Sequence, residues 1–210
     1  MIFLEVLLEG ASDLPAVRSI LRRRFRLEEN QHFRLHQHQG RGTIPNHPNR
    51  PPDPKRRGLL DQLPAKLRGY SGLPAGYWVV VLVDADKDRC KNLKTDLVEL
   101  YQRLPKKPKR VLFRIAVEET ESWFLADEHA ILRAFPNADR SAIPGPPHDR
   151  QIGAWECLAR VLKRRPEECD AGDKIDWAEA ISPHLDLVSP ASPSLRAFVT
   201  GVERCLQKGE

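Results

Sequence analysis

VVVLVDADKDRC, Val79 to Cys90, sets five apolar residues directly against three aspartates. The run Val79–Val83 has the length and β-branched composition of a strand buried on both faces, as in a parallel sheet. The acids admit two readings, a solvated turn after the strand or a metal site at its mouth. Asp84 decides between them, because a carboxylate that directly ends a buried strand is costly unless something satisfies it. Asp88 falls where a helix begins and is read as complementing the helix dipole, outside any site.

Working outward, the same strand-then-acid pattern recurs. Residues 2–8 (IFLEVLL) form a continuous apolar run that ends at Glu9. After Gly10, "SDLPAVRSILRRRF" places Leu14, Val17, Leu21 and Phe25 at helical spacing, with Ser12 or Asp13 as its cap and Pro15 in the first turn. "HFRLHQHQG" alternates as a second strand, and "LLDQLPAKLRGY" repeats Leu60, Leu63 and Leu67 as a helix with a kink or start at Pro64. "LKTDLVELYQRL" is an amphipathic helix, and "RVLFRIAV" is a strand that runs into Glu118 and Glu119. This alternation predicts an α/β domain over residues 1–142, with a mostly parallel sheet flanked by helices in the Rossmann-like manner. "ESWFLADEHAILRAF" reads as one helix. A Pro-rich break at 143–147 leads into a helical and loop extension, residues 143–210, packed on the domain.

The 210 residues are enough for a sizeable core, and 40% hydrophobic with 30% charged residues describes a soluble globular chain. No apolar run approaches the roughly 18–20 residues that span a bilayer, and the opening segment carries Glu5 and Glu9 in place of a basic leader. Four cysteines (Cys90, Cys157, Cys169, Cys205) without a CxxC pair fit a reducing cytoplasm. The net charge is +5. Basic residues cluster at Arg22–Arg24, Lys55–Arg57, Lys106–Arg110 and Lys163–Arg165, and residues 40–58 form a basic, Pro-rich and mobile loop. Each cluster alone reads as an exposed face; four of them around an acidic site favour a phosphate-rich partner such as nucleic acid.

In an open α/β sheet, ligands collect beyond the carboxyl ends of the strands. Parallel strands would bring Glu9, Asp13, Asp84, Asp86 and the group Glu118, Glu119 and Glu121 to one rim. So many carboxylates repel one another unless a hard divalent cation, Mg²⁺ or Mn²⁺, resolves the conflict. Asp13 fits an N-cap as well as a ligand, and Glu118, Glu119 and Glu121 cannot all point inward. An EF-hand is excluded, because Arg89 stands at the loop's glycine position and Thr95 at its bidentate Glu. There is no GxxxxGK[ST], and the alternating His36 and His38, with His47, read as an edge-strand face and a loop histidine, not as a zinc site.

Four segments, "LLEGASD", "LVDADKD", "RIAVEETESWFLAD" and "SPHLDLVSPASPSLRAFVTGV", taken in this order, resemble the TOPRIM fold. The likeness is to the branch around the OLD-family nucleases and the domain-of-unknown-function 4276 group. The resemblance implies Mg²⁺-dependent cleavage of nucleic acid, with Glu9 as general base or ligand and Asp84 and Asp86 as ligands. It assigns the glutamate motif to Glu119, with Glu121 as its rival. It also implies a lysine that stabilises the transition state, for which Lys174 in "DKIDW" is the candidate, and an AAA/ABC-type ATPase as partner in phage defence. A non-catalytic nucleic-acid- or partner-binding module and a DxD glycosyltransferase are the competing readings.

Overall fold

The computed structural model describes residues 2–86, 88–149 and 152–208. The first apolar run is β1 (Phe3–Leu8), buried along its whole length. It lies inside a sheet of order β2-β1-β3-β4, with β2 at Phe33–Gln37, β3 at Tyr77–Asp84 and β4 at Val111–Ala116. Every pairing is parallel, so each connection must cross over the sheet. The crossovers are α1 (Asp13–Phe25), α2 (Leu59–Gly69) and α3 (Cys90–Arg103). The expected parallel α/β sheet flanked by helices is what the chain forms.

Side-chain alternation divides the interior in two. Leu4, Val6 and Leu8 of β1 and Val80 and Leu82 of β3 pack with Val17, Ile20 and Leu21 of α1. Leu7, Val79, Val81 and Val83 pack on the other face with Leu63 and Leu67 of α2 and Leu93, Leu97 and Leu100 of α3. The chain steps from β1 to β2 through a helix on the first face, then returns past β1 to β3 through a helix on the second. Reversing direction and face together keeps one crossover hand, as a twisted parallel sheet requires. It also makes the β1/β3 boundary the point where strand order reverses.

The remaining helices, α4 (Glu121–Leu125), α5 (Glu128–Ala134), α6 (Ala154–Val161), α7 (Ala171–Ile181) and α8 (Pro193–Gln207), join the α1 side. Phe198 of α8 is fully buried with its ring 5.6 Å from that of Trp123, whose indole N–H donates to Ser194 Oγ at 2.8 Å. Arg114 of β4 donates from Nε to the Ala197 carbonyl at 2.8 Å. The start of α8 is closed by Ser192, which accepts from the Leu195 N–H and donates to Asp149 Oδ1 at 2.7 Å.

Three local expectations change. "ESWFLADEHAILRAF" is two helices, because Asp127 breaks it and caps the second by accepting from the Ala130 N–H at 2.9 Å. Ser12 holds the cap position of α1 but makes no capping bond, and Asp13 is turned elsewhere. Asp88 precedes α3 by two residues and is ion-paired with Arg41. The basic clusters are also not uniformly free, since Arg23 donates to the carbonyls of Ser182 and Leu185. The basic loop closes on a narrow neck: Gly42 (φ +69°) lies so near Gly58 that a Cβ on Gly58 would sit 2.6 Å from the Gly42 Cα.

Because Phe198 sits in the same core as β1 and α1, Phe198→Ala is expected to cost about 3–5 kcal/mol. Urea unfolding followed by circular dichroism and by tryptophan fluorescence should shift together to a lower midpoint. Separate transitions for the two probes would make the C-terminal helices an independent unit.

Candidate functional site

Glu9 follows β1 and Asp84 ends β3, so the parallel pairing of these strands sets them side by side at the reversal of strand order. Glu9 is 8% exposed, and its Oε1 accepts the backbone N–H of Asp84 at 2.8 Å. Asp84 continues the side-chain parity of Val80 and Leu82, towards the face covered by the C-terminal helices. Among the described residues, no donor reaches its carboxyl group.

Asp13, 4% exposed, accepts the Gly10 N–H on Oδ2 at 3.0 Å and the Thr120 hydroxyl on Oδ1 at 2.9 Å. Thr120 precedes α4, so this bond ties the start of α1 to the end of β4. Glu121, the first residue of α4, is 5% exposed and lies 3.5 Å from the same hydroxyl. Glu119 accepts the Trp155 N–H at 3.0 Å, and Lys174 Nζ stands 3.9 Å from its Oε1. Glu118, in the left-handed region at φ 65°, turns away to accept the Gly153 N–H at 2.9 Å.

Glu9, Asp13, Asp84, Glu119 and Glu121 therefore meet at one rim, with Lys174 beside them. Asp86 does not join on equal terms. Its backbone is left-handed (φ 47°), its side chain is 48% exposed, and Arg41 donates to it at 3.0 Å while also holding Asp88. Its charge still acts on Glu9.

Burial, first of all, pushes the Glu9 carboxyl up to about 8, with Asp13 and Asp86 adding to the rise against the opposing Asp84 N–H and Arg41. Burial likewise lifts Glu121 to about 7, opposed mainly by Lys174. Asp84 lies well above the ordinary carboxylate range, from burial and then from Asp13, Glu9, Glu121 and Glu119. Burial raises Asp13 and Glu119 as well, and Lys174 offsets both. These shifts share one leading cause, the burial of several carboxylates with little positive charge beside them.

Oxygen-only donors, crowded and under-neutralised, suit a hard divalent ion. Among the described residues, no group of three or more His, Cys, Asp or Glu side chains is gathered so that it could hold a metal ion as it stands. The histidines lie elsewhere. His36 Nε2 meets Glu5 Oε2 at 2.5 Å, and His38 Nδ1 donates to the Leu8 carbonyl at 2.7 Å.

Thr120, Arg41 and Trp155 were not singled out from the sequence. Arg41 lay within a basic loop whose residues looked interchangeable, and neither Thr120 nor Trp155 carries a local signal.

The family model for the domain of unknown function DUF4276 matches residues 8–203. The chain belongs to the DUF4276 family. Among solved structures, the C-terminal region of the Burkholderia pseudomallei OLD protein is similar over 99% of this chain and 98% of that one, at 14% identity and a TM-score of 0.49. A comparison with curated proteins gave no match. Among the described residues of this DUF4276 chain, no helix is long and apolar enough to cross a membrane.

Raised carboxyl pKa values mean that the folded state holds more protons than the unfolded chain between the two pKa values, so stability falls with rising pH there. For Glu9 the window runs from 4.5 to about 8, and for Glu121 from 4.5 to about 7. Without metal, the melting temperature is expected to drop from pH 5 to pH 8. Glu121→Gln should recover on the order of 1–3 kcal/mol at the upper end and little at pH 5. A melting temperature of the variant that tracks wild type at both pH values would show that Glu121 does not carry this strain.

Proposed function

We propose that this DUF4276 protein is a divalent-cation-dependent phosphodiesterase acting on nucleic acid. The supporting observation is the meeting of Glu9, Asp13, Asp84, Glu119 and Glu121, buried and under-neutralised, at the point where strand order reverses. Asp84 is the principal ligand in this reading, since its carboxylate is the one not engaged by a described donor. One of Glu119 and Glu121 joins it, and Asp86 does so once Arg41 releases it. Mg²⁺ or Mn²⁺, when bound, supplies positive charge for the carboxylates and for the oxygens of the phosphodiester.

The chain's own groups divide the remaining work. Glu9, held near neutral pH by burial and anchored through Oε1, keeps Oε2 to accept a proton from the attacking water. The ammonium of Lys174, pinned between Glu119 and the Trp155 ring, faces charge that grows on the phosphate oxygens. Asp13, fixed by Gly10 and Thr120, holds the turn on which Glu9 stands. The family resemblance adds an AAA/ABC-type ATPase as partner, with a role in phage defence, for any coupled nucleotide hydrolysis.

One observation favours a second reading. The hydrogen bonds that Glu9, Asp13 and Glu119 already make could serve a non-catalytic nucleic-acid- or partner-binding module. Two measurements separate them. With Mg²⁺ or Mn²⁺ the wild type is expected to cut DNA or RNA, and Asp84→Asn and Glu9→Gln to lose about 100-fold or more. Saturating metal should also raise the wild-type melting temperature, more at pH 8 than at pH 6, and leave Asp84→Asn unchanged. Equal cleavage by wild type and both variants would sink the assignment of the site. No metal-induced shift in the wild type would favour the non-catalytic module.

A further inference from the structure

Beside the carboxylate rim lies a cleft of about 380 Å³, within the roughly 300–1,000 Å³ usual for small-ligand sites. One wall is the turn between β1 and α1, with Gly10 and Ser12. The other is Trp155 of α6 with Lys174 and Ile175 of α7. Cleft and rim share their framework. Gly10 holds Asp13 through its N–H, Trp155 holds Glu119 the same way, and Lys174 lines the cleft while standing 3.9 Å from Glu119.

Two of the cleft's donors are not engaged by other described residues, the Trp155 indole N–H and the Ser12 hydroxyl. Trp155 is partly exposed, and its indole N–H finds no acceptor among the described residues, whereas that of the buried Trp123 is paired with Ser194. A buried tryptophan ordinarily pairs this group, and one left open on a cleft wall is placed to meet a ligand. Ser12 makes no capping bond despite its position. The nearby Asp170 is engaged, accepting the N–H groups of Gly172 and Asp173 at the start of its own helix. Lys174 Nζ lies over one face of the Trp155 ring, 4.5 Å from its centroid, so the ammonium covers that face and a stacked base takes the opposite one.

We propose that this cleft binds a nucleobase adjoining the phosphate to be cut, with Trp155 as its stacking platform. An indole, an apolar wall at Ile175 and isolated donors suit a flat heteroaromatic ring with polar edges. Lys174, common to cleft and rim, suits the anionic phosphate attached to that base. A purely apolar ligand would leave the Trp155 N–H and the Ser12 hydroxyl without partners. Because every base offers a π-face, the subsite tolerates sequence. It requires an unpaired nucleotide, since a base inside a duplex is not available for stacking on protein.

The position of the phosphate rests on the phosphodiesterase reading, and the subsite has its own test. Fluorescence anisotropy of the full chain, in EDTA to prevent cleavage, compares a short oligothymidylate with an abasic strand of equal length. Wild type is expected to bind the base-bearing strand about tenfold more tightly or better. Trp155→Leu should bring the two affinities together, with the base-bearing strand losing more than the abasic one, and Trp155→Phe should restore part of the difference. A Trp155→Leu variant that keeps the full preference for bases overturns the subsite and leaves the phosphodiesterase reading standing. Thymidine monophosphate serves as competitor in the wild type. If neither strand binds but the nucleotide does, in a Trp155-dependent way, the base subsite stands as a free-nucleotide site and the nucleic-acid reading fails. No base preference and no nucleotide binding overturns the base subsite and leaves the phosphodiesterase reading to its own cleavage test.

Discussion

The bond from the Asp84 N–H to Glu9 Oε1, 2.8 Å long, can form only where two strands remote in sequence end side by side. β1 and β3 are such a pair because the chain crosses to β2 on one face and returns on the other. The buried runs IFLEVLL and VVVLVD are thus more than core. Their registered pairing, Leu4 with Trp78 through Leu7 with Val81, delivers the two acids to one place. Parallel pairing leaves no freedom to slide by one residue, since a slip would turn Val80 and Leu82 out of one core and Val79 and Val81 out of the other.

That delivery has an electrostatic cost. Five carboxylates share a poorly solvated rim, and the protein meets the excess charge only in part. Backbone N–H groups of Gly10, Asp84 and Trp155 satisfy single oxygens, Lys174 supplies one near positive charge, and Arg41 is spent largely on Asp86 and Asp88. A purely structural cluster would be expected to balance its charges or replace them with apolar groups, because an unbalanced buried charge is destabilising. A buried cluster left short of positive charge in this way is costly to the fold.

What the sequence made legible follows from distance along the chain. Asp84 could be singled out because an acid abutting a buried strand is anomalous within a window of six residues, whereas the face it takes emerges only from the packing, since five consecutive apolar residues carry no alternation. Glu9 was legible for the same reason. The DxD pattern misled about Asp86, since two residues along a strand would share a face, but the chain leaves the strand at Ala85 and Asp86 adopts a left-handed turn. Asp13 was ambiguous between cap and site until Thr120, 107 residues away, supplied its partner. Arg41 and Trp155 could not have been found locally, because their significance lies wholly in what the fold brings near them. Lys174 came from family resemblance and from nothing in its own neighbourhood.

The sheet's two faces contribute unequally, and this asymmetry connects folding to chemistry. The face carrying α2 and α3 is closed by an aliphatic core. The opposite face is closed by α1 and the C-terminal helices, and those helices bring Lys174 and Trp155, both far from the strands in sequence. The strand ends provide negative charge almost alone, and the rim's nearest ammonium arrives only when α6 and α7 dock. Docking is driven by burial of Cys157, Leu158, Val161, Trp177 and Ile181, side chains remote from the acids in chemistry if not in space. The apolar faces of the late helices therefore position the lysine that tempers the carboxylates of the early strands. The site is completed by the same packing that completes the core.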